Sequence, residues 1–367
     1  MEPYQPKKLP FSEINWEQHV SLIAKANGDL ARFDGLMHTI PNPEHLLVPI
    51  MTQEAVLSSR IEGTQATLED VLEYDAEPSQ EISNYRDVQE VTNYRNTLQF
   101  AIEKLKGTPL TLNLIKEMHK VLLDGVRGNN KRRGEFRTSQ NWIGKPGAKI
   151  EQATFIPPSP LNLLDHLSNF EHYFHYEERE QLVQLAIIHA QFELLHPFLD
   201  GNGRIGRILV PLFLYEKHLI SHPSFYISGF FESERNIYYD KLENISQLNA
   251  WDDWIEFFLE AVIFQANSQM SLAKDILALY EEMKVTIAEL TRSHFVIKVI
   301  DFIFSHPIFK GANLVRDTEI PKATASRLLN TLVEGGILLP VREKTGRAGQ
   351  IYRFSKLLDL LMFSSES

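Results

Sequence analysis

Apolar residues recur every three to four positions through most of the chain, the spacing of helices with one buried face. Asn15 to Asn27 and Pro43 to Ile61 carry this pattern, the second with Asn42 as cap and Pro43 in its first turn, where a missing N–H costs nothing. Glu81 to Leu105 sets Val88, Val91, Leu98, Ile102 and Leu105 at helical spacing, and Thr111 to Leu123 follows with Thr111 as cap. Leu161 to Phe174, Glu178 to Leu195, Arg204 to Leu219 and Trp251 to Tyr280 read the same way. The expected fold is mainly α.

Two regions break the pattern. Between Arg127 and Pro160, Gly-rich polar stretches alternate with short apolar pieces, and Phe136 to Ile143 with Ala153 to Ile156 would form a small β-hairpin. It reads either as a surface excursion between helices or as a flap over a ligand. After residue 290 the order is helix (Ser293 to Phe304), short turn, helix (Pro321 to Glu334), then a hairpin from Ile337 to Phe354.

Composition narrows the class. In 367 residues with 43% apolar and 23% charged side chains there is enough to build more than one core. Cysteine is absent, which excludes thiolate metal sites, disulfides and a cysteine nucleophile and points to a reducing cytoplasm. No apolar run reaches the ~20 residues of a membrane span, so no membrane partner is expected. The net charge of −11 argues against a protein coated onto nucleic acid, yet Arg292 to Asp359 holds eleven Lys and Arg against six Asp and Glu. That shift marks a boundary near residue 290.

The chemistry is concentrated in His196-Pro-Phe-Leu-Asp-Gly-Asn-Gly-Arg-Ile-Gly-Arg207, between two strongly apolar helices. Gly201, Asn202 and Gly203 lead into the N-terminus of a helix, where free N–H groups and the helix dipole favour phosphate and glycines permit close approach. Arg204 and Arg207, three apart on one helical face, suit phosphate oxygens. Asp200 is a hard oxygen ligand for Mg²⁺, and His196 can take a proton from an attacking hydroxyl. Phe198, apolar among polar neighbours, is expected to plug into the core and fix the loop. His222-Pro223 and His306-Pro307 repeat the dipeptide without the acid and GNGR, and read as helix-ending turns.

The stretch resembles the signature of the Fic family, H-x-F-x-(D/E)-G-N-G-R-x-x-R, at every specified position. The resemblance implies a Fic-type helical core with a hairpin flap, and transfer of AMP from ATP, with Mg²⁺, to a Ser, Thr or Tyr hydroxyl of a protein, itself included. His196 would be the general base and Asp200 the metal ligand. Gly201, Asn202, Gly203, Arg204, Ile205, Gly206 and Arg207 would form the ATP clamp. Ser58-Ser-Arg-Ile-Glu62-Gly63 matches the family's inhibitory motif, (S/T)-x-x-x-E-(G/N). Ser58 and Glu62 are four apart on one helix face, and the resemblance implies that Glu62 pairs with Arg207 and excludes productive placement of the γ-phosphate. By the same analogy Thr154, Phe155 and Ile156 would pair with a target's backbone as an added strand, while Tyr238, Tyr239 and Gln247 would lie near the adenine. Family members also use UTP, transfer phosphocholine or phosphate, or remove AMP, so the group transferred and the direction of the reaction stay open. The family often forms dimers, though no feature of this sequence establishes a homodimer. The cations Arg127, Lys131, Arg132, Arg133 and Arg137 read most simply as a solvated loop.

The C-terminal order resembles a winged helix-turn-helix. Ala325, Leu328, Leu329 and Leu332 would face inward and Lys322, Ser326, Arg327 and Asn330 outward, with Lys344 to Gln350 as the basic wing tip. DNA binding, docking and dimerisation are all open to such a module. The expected division is residues 1–106, an N-terminal helical module with the inhibitory helix; 107–288, the catalytic core; and 289–367, the winged helix. The rival to an adenylyltransferase is a DNA-binding transcriptional regulator whose core senses nucleotide and turns over little.

Overall fold

The computed structural model describes residues 2–40, 46–79, 84–126, 131–145, 147, 149–342 and 349–363. Expectations that rest on Asn42, Pro43, Glu81, Arg127, Lys344 and Arg347 lie outside the described residues. The chain divides into two compact units, Met1–Asp34 with Leu57–Thr64 and Asn93–Asn267, and Gly35–Val56 with Gln65–Thr92 and Ser268–Ser367. Among the described residues no helix is long and apolar enough to cross a membrane.

The N-terminal third supplies α1 (Trp16–Met37), α2 (Val48–Ile61), α3 (Leu68–Ala76) and α4 (Tyr85–Leu105). Helix α1 runs ten residues past the expected Asn27, because Ala26, Leu30, Phe33 and Met37 keep one face buried across Gly28 and Gly35. The short α3 escaped the periodicity reading. It is set by a capping box, in which Thr67 accepts from Asp70 N–H and Asp70 accepts from Thr67 N–H.

In the first unit, α5 (Leu112–Leu122), α6 (Leu163–Phe174), α7 (Gln181–Leu195) and α8 (Asn202–Glu216) build the core, joined by α9 (Ser228–Ser233), α10 (Arg235–Leu248) and the first half of α11 (Trp251–Thr291). Helices α7 and α8 pack on each other and are apolar nearly all round, as helices at the centre of a bundle must be. Trp254 crosses onto them, its indole N–H donating to Ala186 O at 2.8 Å. The expected hairpin is reduced to a single antiparallel bridge, Ile143 with Phe155.

The second unit ends in α12 (Val296–Ser305), β1 (Ile308–Lys310), α13 (Gly311–Thr318), α14 (Lys322–Glu334), β2 (Leu339–Arg342), β3 (Ile351–Arg353) and α15 (Ser355–Phe363). The sheet is antiparallel with order β1-β3-β2, the layout of a winged helix. The expected short turn after Phe304 is in fact β1 and α13. Ala325, Leu328, Leu329 and Leu332 are buried and Lys322, Ser326, Arg327 and Asn330 exposed, as the periodicity required. Helix α3 packs on β1, where Glu77 pairs with Lys310, and Glu69 pairs with Arg353 at 2.7 Å.

Candidate active site

The site is the junction of α7 and α8. Helix α7 stops at His196, which takes the left-handed conformation (φ 45°), and Pro197 prevents its continuation. His196 Nδ1 lies 3.3 Å from Glu193 O. A carbonyl only accepts, so Nδ1 carries the proton and Nε2 keeps the lone pair. Burial pushes the imidazole pKa down to about 4, partly offset by the Glu193 carbonyl and the Glu62 charge. At neutral pH the ring is an uncharged base.

The loop from Pro197 to Gly201 is fastened on three sides. Phe198 is fully buried, stacked on His119 with ring centroids 3.8 Å apart and tilted on Phe136 at 5.2 Å. Asn202 closes the loop on itself: its Oδ1 accepts from Phe198 N–H at 2.8 Å and its amide donates to Phe198 O at 2.9 Å. Arg137, buried, donates to His196 O at 2.9 Å, Pro158 O at 2.6 Å and Leu195 O at 3.3 Å, and Asn141 donates to Phe198 O at 3.1 Å. Arg137 therefore satisfies carbonyls that the end of α7 leaves orphaned, and it is not part of a solvated basic loop as its sequence neighbours suggested. Gly201 is the N-cap of α8 at φ 79°, a conformation that suits glycine.

Asp200 keeps 26% of its side-chain exposure, 3.5 Å from Arg204. Among the described residues no group of three or more His, Asp or Glu gathers as a metal cage. A single carboxylate beside a helix N-terminus fits Mg²⁺ in its usual form, held by one side chain and completed by substrate phosphates and water.

Arg207 is 1% exposed, and two of its three nitrogens donate to α2 and the residue after it. Nε donates to Ser58 Oγ at 2.8 Å, and Nη2 donates to Ser58 O at 2.9 Å and to Glu62 Oε1 at 2.7 Å. The Glu62 carboxylate lies over the first turn of α8, and a side chain in place of Gly203 would collide with Oε1. Burial works to raise the Glu62 pKa, but the charges of Arg207 and Arg204 outweigh it and hold the carboxyl below the usual range. Gly63, at φ 99°, ends α2 directly behind it.

The other anticipated residues fall in different places. Ile205 is buried, and Gly206 faces α7, its carbonyl 3.2 Å from His189 Nδ1. Tyr238 is buried with its hydroxyl 3.1 Å from His189 Nε2, while Tyr239 is 43% exposed, 3.5 Å from Ile61 O, with Arg235 over its ring. Gln247 is exposed and its amide donates to Glu243 on the same helix. Thr154 and Phe155 donate to Ile143 O at 2.8 and 3.2 Å, and Ile156 is buried. Four residues of the site were missed from sequence: His119, Arg137 as a structural ligand, Asn141 and Glu193. Glu193 lies flush on Gly206 with Oε1 buried and unpartnered, and burial pushes its pKa up to about 8.

Comparison with known proteins agrees with this geometry. Residues 20–103 match the Fic/DOC family N-terminal model, 109–214 the Fic/DOC family model, and 312–341 the IclR helix-turn-helix domain. The chain belongs to the Fic family. It is 32% identical over 115 residues to "Protein adenylyltransferase Fic" of Drosophila grimshawi, a stretch that is 30% of this chain and 20% of that protein. It is 27% identical over 198 residues to a probable protein adenylyltransferase of Aquifex aeolicus (strain VF5), 52% of this chain and 57% of that one. The chain thus spans well under two thirds of these relatives. Among solved structures, a Fic family protein from Desulfovibrio desulfuricans G20 aligns over 96% of this chain and 98% of its own, with TM-score 0.59 and 19% identity. Residues 134–508 of Fic-1 from C. elegans align over 71% and 72% with TM-score 0.53 and 20% identity. At these identities the structures speak for the fold alone.

Proposed function

We propose that the protein transfers AMP from ATP to a Ser, Thr or Tyr hydroxyl of a protein, itself included, and that Glu62 holds this activity in check. The observation that carries the reading is the meeting of a neutral His196 and the α8 N-terminus with a buried Arg207 whose present partner is the chain's own carboxylate. His196 Nε2 accepts the hydroxyl proton as the oxygen attacks the α-phosphorus, and the bond to the bridging oxygen breaks to release pyrophosphate. The N–H groups of the α8 first turn, with Arg204 and Arg207, hold the phosphate oxygens. Mg²⁺, held by Asp200, would supply charge neutralisation on the phosphates. Of the tyrosine pair, the part-exposed Tyr239 is the one this reading sets beside the adenine, since Tyr238 is buried. The flap piece Thr154-Phe155-Ile156 is the target-docking strand in this reading, and the cytoplasm its location.

In this scheme residues 1–106 regulate, 107–288 catalyse and 289–367 recruit. The match to a helix-turn-helix model and the exposed Lys322, Ser326, Arg327 and Asn330 on α14 favour DNA as a second partner. The test of the main reading is intact-mass measurement of Glu62→Gly protein after incubation with Mg²⁺ and each nucleoside triphosphate. A gain of one AMP from ATP is expected. No gain with any nucleotide would leave the regulator reading in possession.

A further inference from the structure

Two loops of the site converge on one imidazole to which the chemistry above gives no part. His119 lies in the last turn of α5 and is fully buried. Gly134 N–H, at the base of the flap segment, donates to its Nδ1 at 2.9 Å. That fixes the lone pair on Nδ1 and the proton on Nε2, which donates to Asp200 O at 3.0 Å. The face of the ring lies flat on Phe198, with planes 7° apart. Its edge, together with Leu122 and Leu123, closes the space beside Gly201, where a Cβ would stand 3.7 Å from His119 Cδ2.

We propose that His119 is a positioning residue for nucleotide transfer: it ties the main chain of Asp200 and the ring of Phe198 to the base of the flap, and so sets the carboxylate of Asp200 relative to the α8 N-terminus. The proposal rests on the transferase reading for its consequence and on geometry for its content. Only an imidazole supplies a donor on one edge, an acceptor on the other and a flat face between them. Phenylalanine keeps the face and orphans a buried N–H and a carbonyl. Glutamine keeps a donor and an acceptor and loses the stacked face. Burial, which pushes the ring pKa down to about 4, agrees with a ring held in the neutral form.

The test uses the full chain in the Glu62→Gly background, with His119→Phe and His119→Gln. Calorimetric binding of ADP is followed at stepped Mg²⁺ concentrations, beside kcat and KM for label transfer and the melting temperature. Groups that orient a metal ligand are worth roughly 10- to 100-fold in metal affinity or activity. His119→Phe should raise the Mg²⁺ concentration for half-maximal ADP binding by about that factor and lower kcat more than it raises the KM for ATP. His119→Gln should recover most of the loss. Histidine ¹⁵N spectra of the parent should show one ring with Nε2 protonated and Nδ1 bare at neutral pH. An unchanged Mg²⁺ dependence and kcat in His119→Phe, or the opposite tautomer, overturns the proposal. So does equal loss of melting temperature in both variants with parent-like ADP binding, which would make the role structural only. A parent that binds Mg²⁺ and ADP but transfers no label defeats the transferase reading and leaves this one to the calorimetry. A parent that binds no nucleotide overturns both.

Discussion

Replacing Glu62 by glycine deletes one carboxylate and disturbs little else. Position 62 follows the last residue of α2, where glycine carries no helix-interior cost, and Ser58 still offers its hydroxyl and carbonyl to Arg207. What is lost is a charge-assisted bond of 2.7 Å between a buried guanidinium and a carboxylate with 34% of its surface exposed. A bond to a charged group is worth about 1.5–3 kcal/mol, and partial exposure draws that toward ~1.5–2. At about 1.4 kcal/mol per factor of ten, the anion site should become available about 10- to 30-fold more often. Incubation with α-labelled ATP and Mg²⁺ should therefore show automodification rising at least about tenfold in Glu62→Gly. Glu62→Gln, which keeps a neutral hydrogen bond, and Glu62→Asp, whose shorter arm reaches less well, should fall between. Labelling within threefold in all four proteins would refute the inhibitory role of the contact, whatever the transfer chemistry proves to be.

In the Glu62→Gly background His196→Ala should cost ~10² to 10⁴ in transfer rate while calorimetric ATP binding survives, because the imidazole moves a proton and holds no phosphate. Because burial pushes His196 down to about 4, the base stays neutral as pH falls, and the acid limb of kcat should lie below pH 6; a limb at 6.5 or higher contradicts the assignment. His119, His189 and His196, pushed down to about 4, 3 and 4, refuse protons that the unfolded chain takes up near pH 6.5. Stability from them is therefore present above pH 6.5 and is lost as pH falls toward 4, by up to ~4 kcal/mol per pH unit, which denaturant titrations at pH 7 and 5 would detect. Reversing Lys322 and Arg327 should weaken duplex DNA binding by the full chain and flatten its salt dependence by about 0.9 log unit per phosphate contact, with AMP transfer unchanged; no DNA binding at low salt in the parent removes the second partner.

The legible part of the site was the part that is contiguous in the chain. His196, Asp200, the Gly-Asn-Gly turn and Arg207 lie within twelve positions, so their place at one helix junction could be read off spacing alone. The pairing of Arg207 with Glu62 spans 145 residues and was reachable only through resemblance to a family. His119, Arg137 and Asn141 were not legible, because what defines them is a carbonyl brought close by folding, which leaves no periodic trace. One signal was available for His119: it sits on the apolar face made by Leu114, Ile115, Met118 and Leu122, where a polar residue needs partners. Helices α3, α13 and α15 were missed because eight or nine residues are too few to establish a period, and capping or sheet packing decides them instead.

In the proposed function Glu62 is the lock, and the surroundings of Arg207 are what would make one carboxylate enough. Glycines 203 and 206 lie on the same face of α8 as Arg207, and each is covered by an acid, Glu62 over the first and Glu193 over the second. Burial pushes Glu193 up to about 8, with the Glu62 charge adding to that rise, so near neutrality Glu193 is largely protonated and leaves Arg207 to be balanced by Glu62. Take Glu62 away and a buried guanidinium remains, facing the N–H groups of a helix start with two Ser58 oxygens as its nearest neutral partners. That is a strong demand for an anion, which the triphosphate of the proposed reaction would meet. The two anions do not compete on equal terms, however. Glu62 is tethered at the end of a helix, with an effective concentration on the order of millimolar or above, so a nucleotide at millimolar concentration gains little by mass action alone. Activation on this argument comes from whatever moves the end of α2 away from α8, and the level of ATP only sets how fast the vacated site fills.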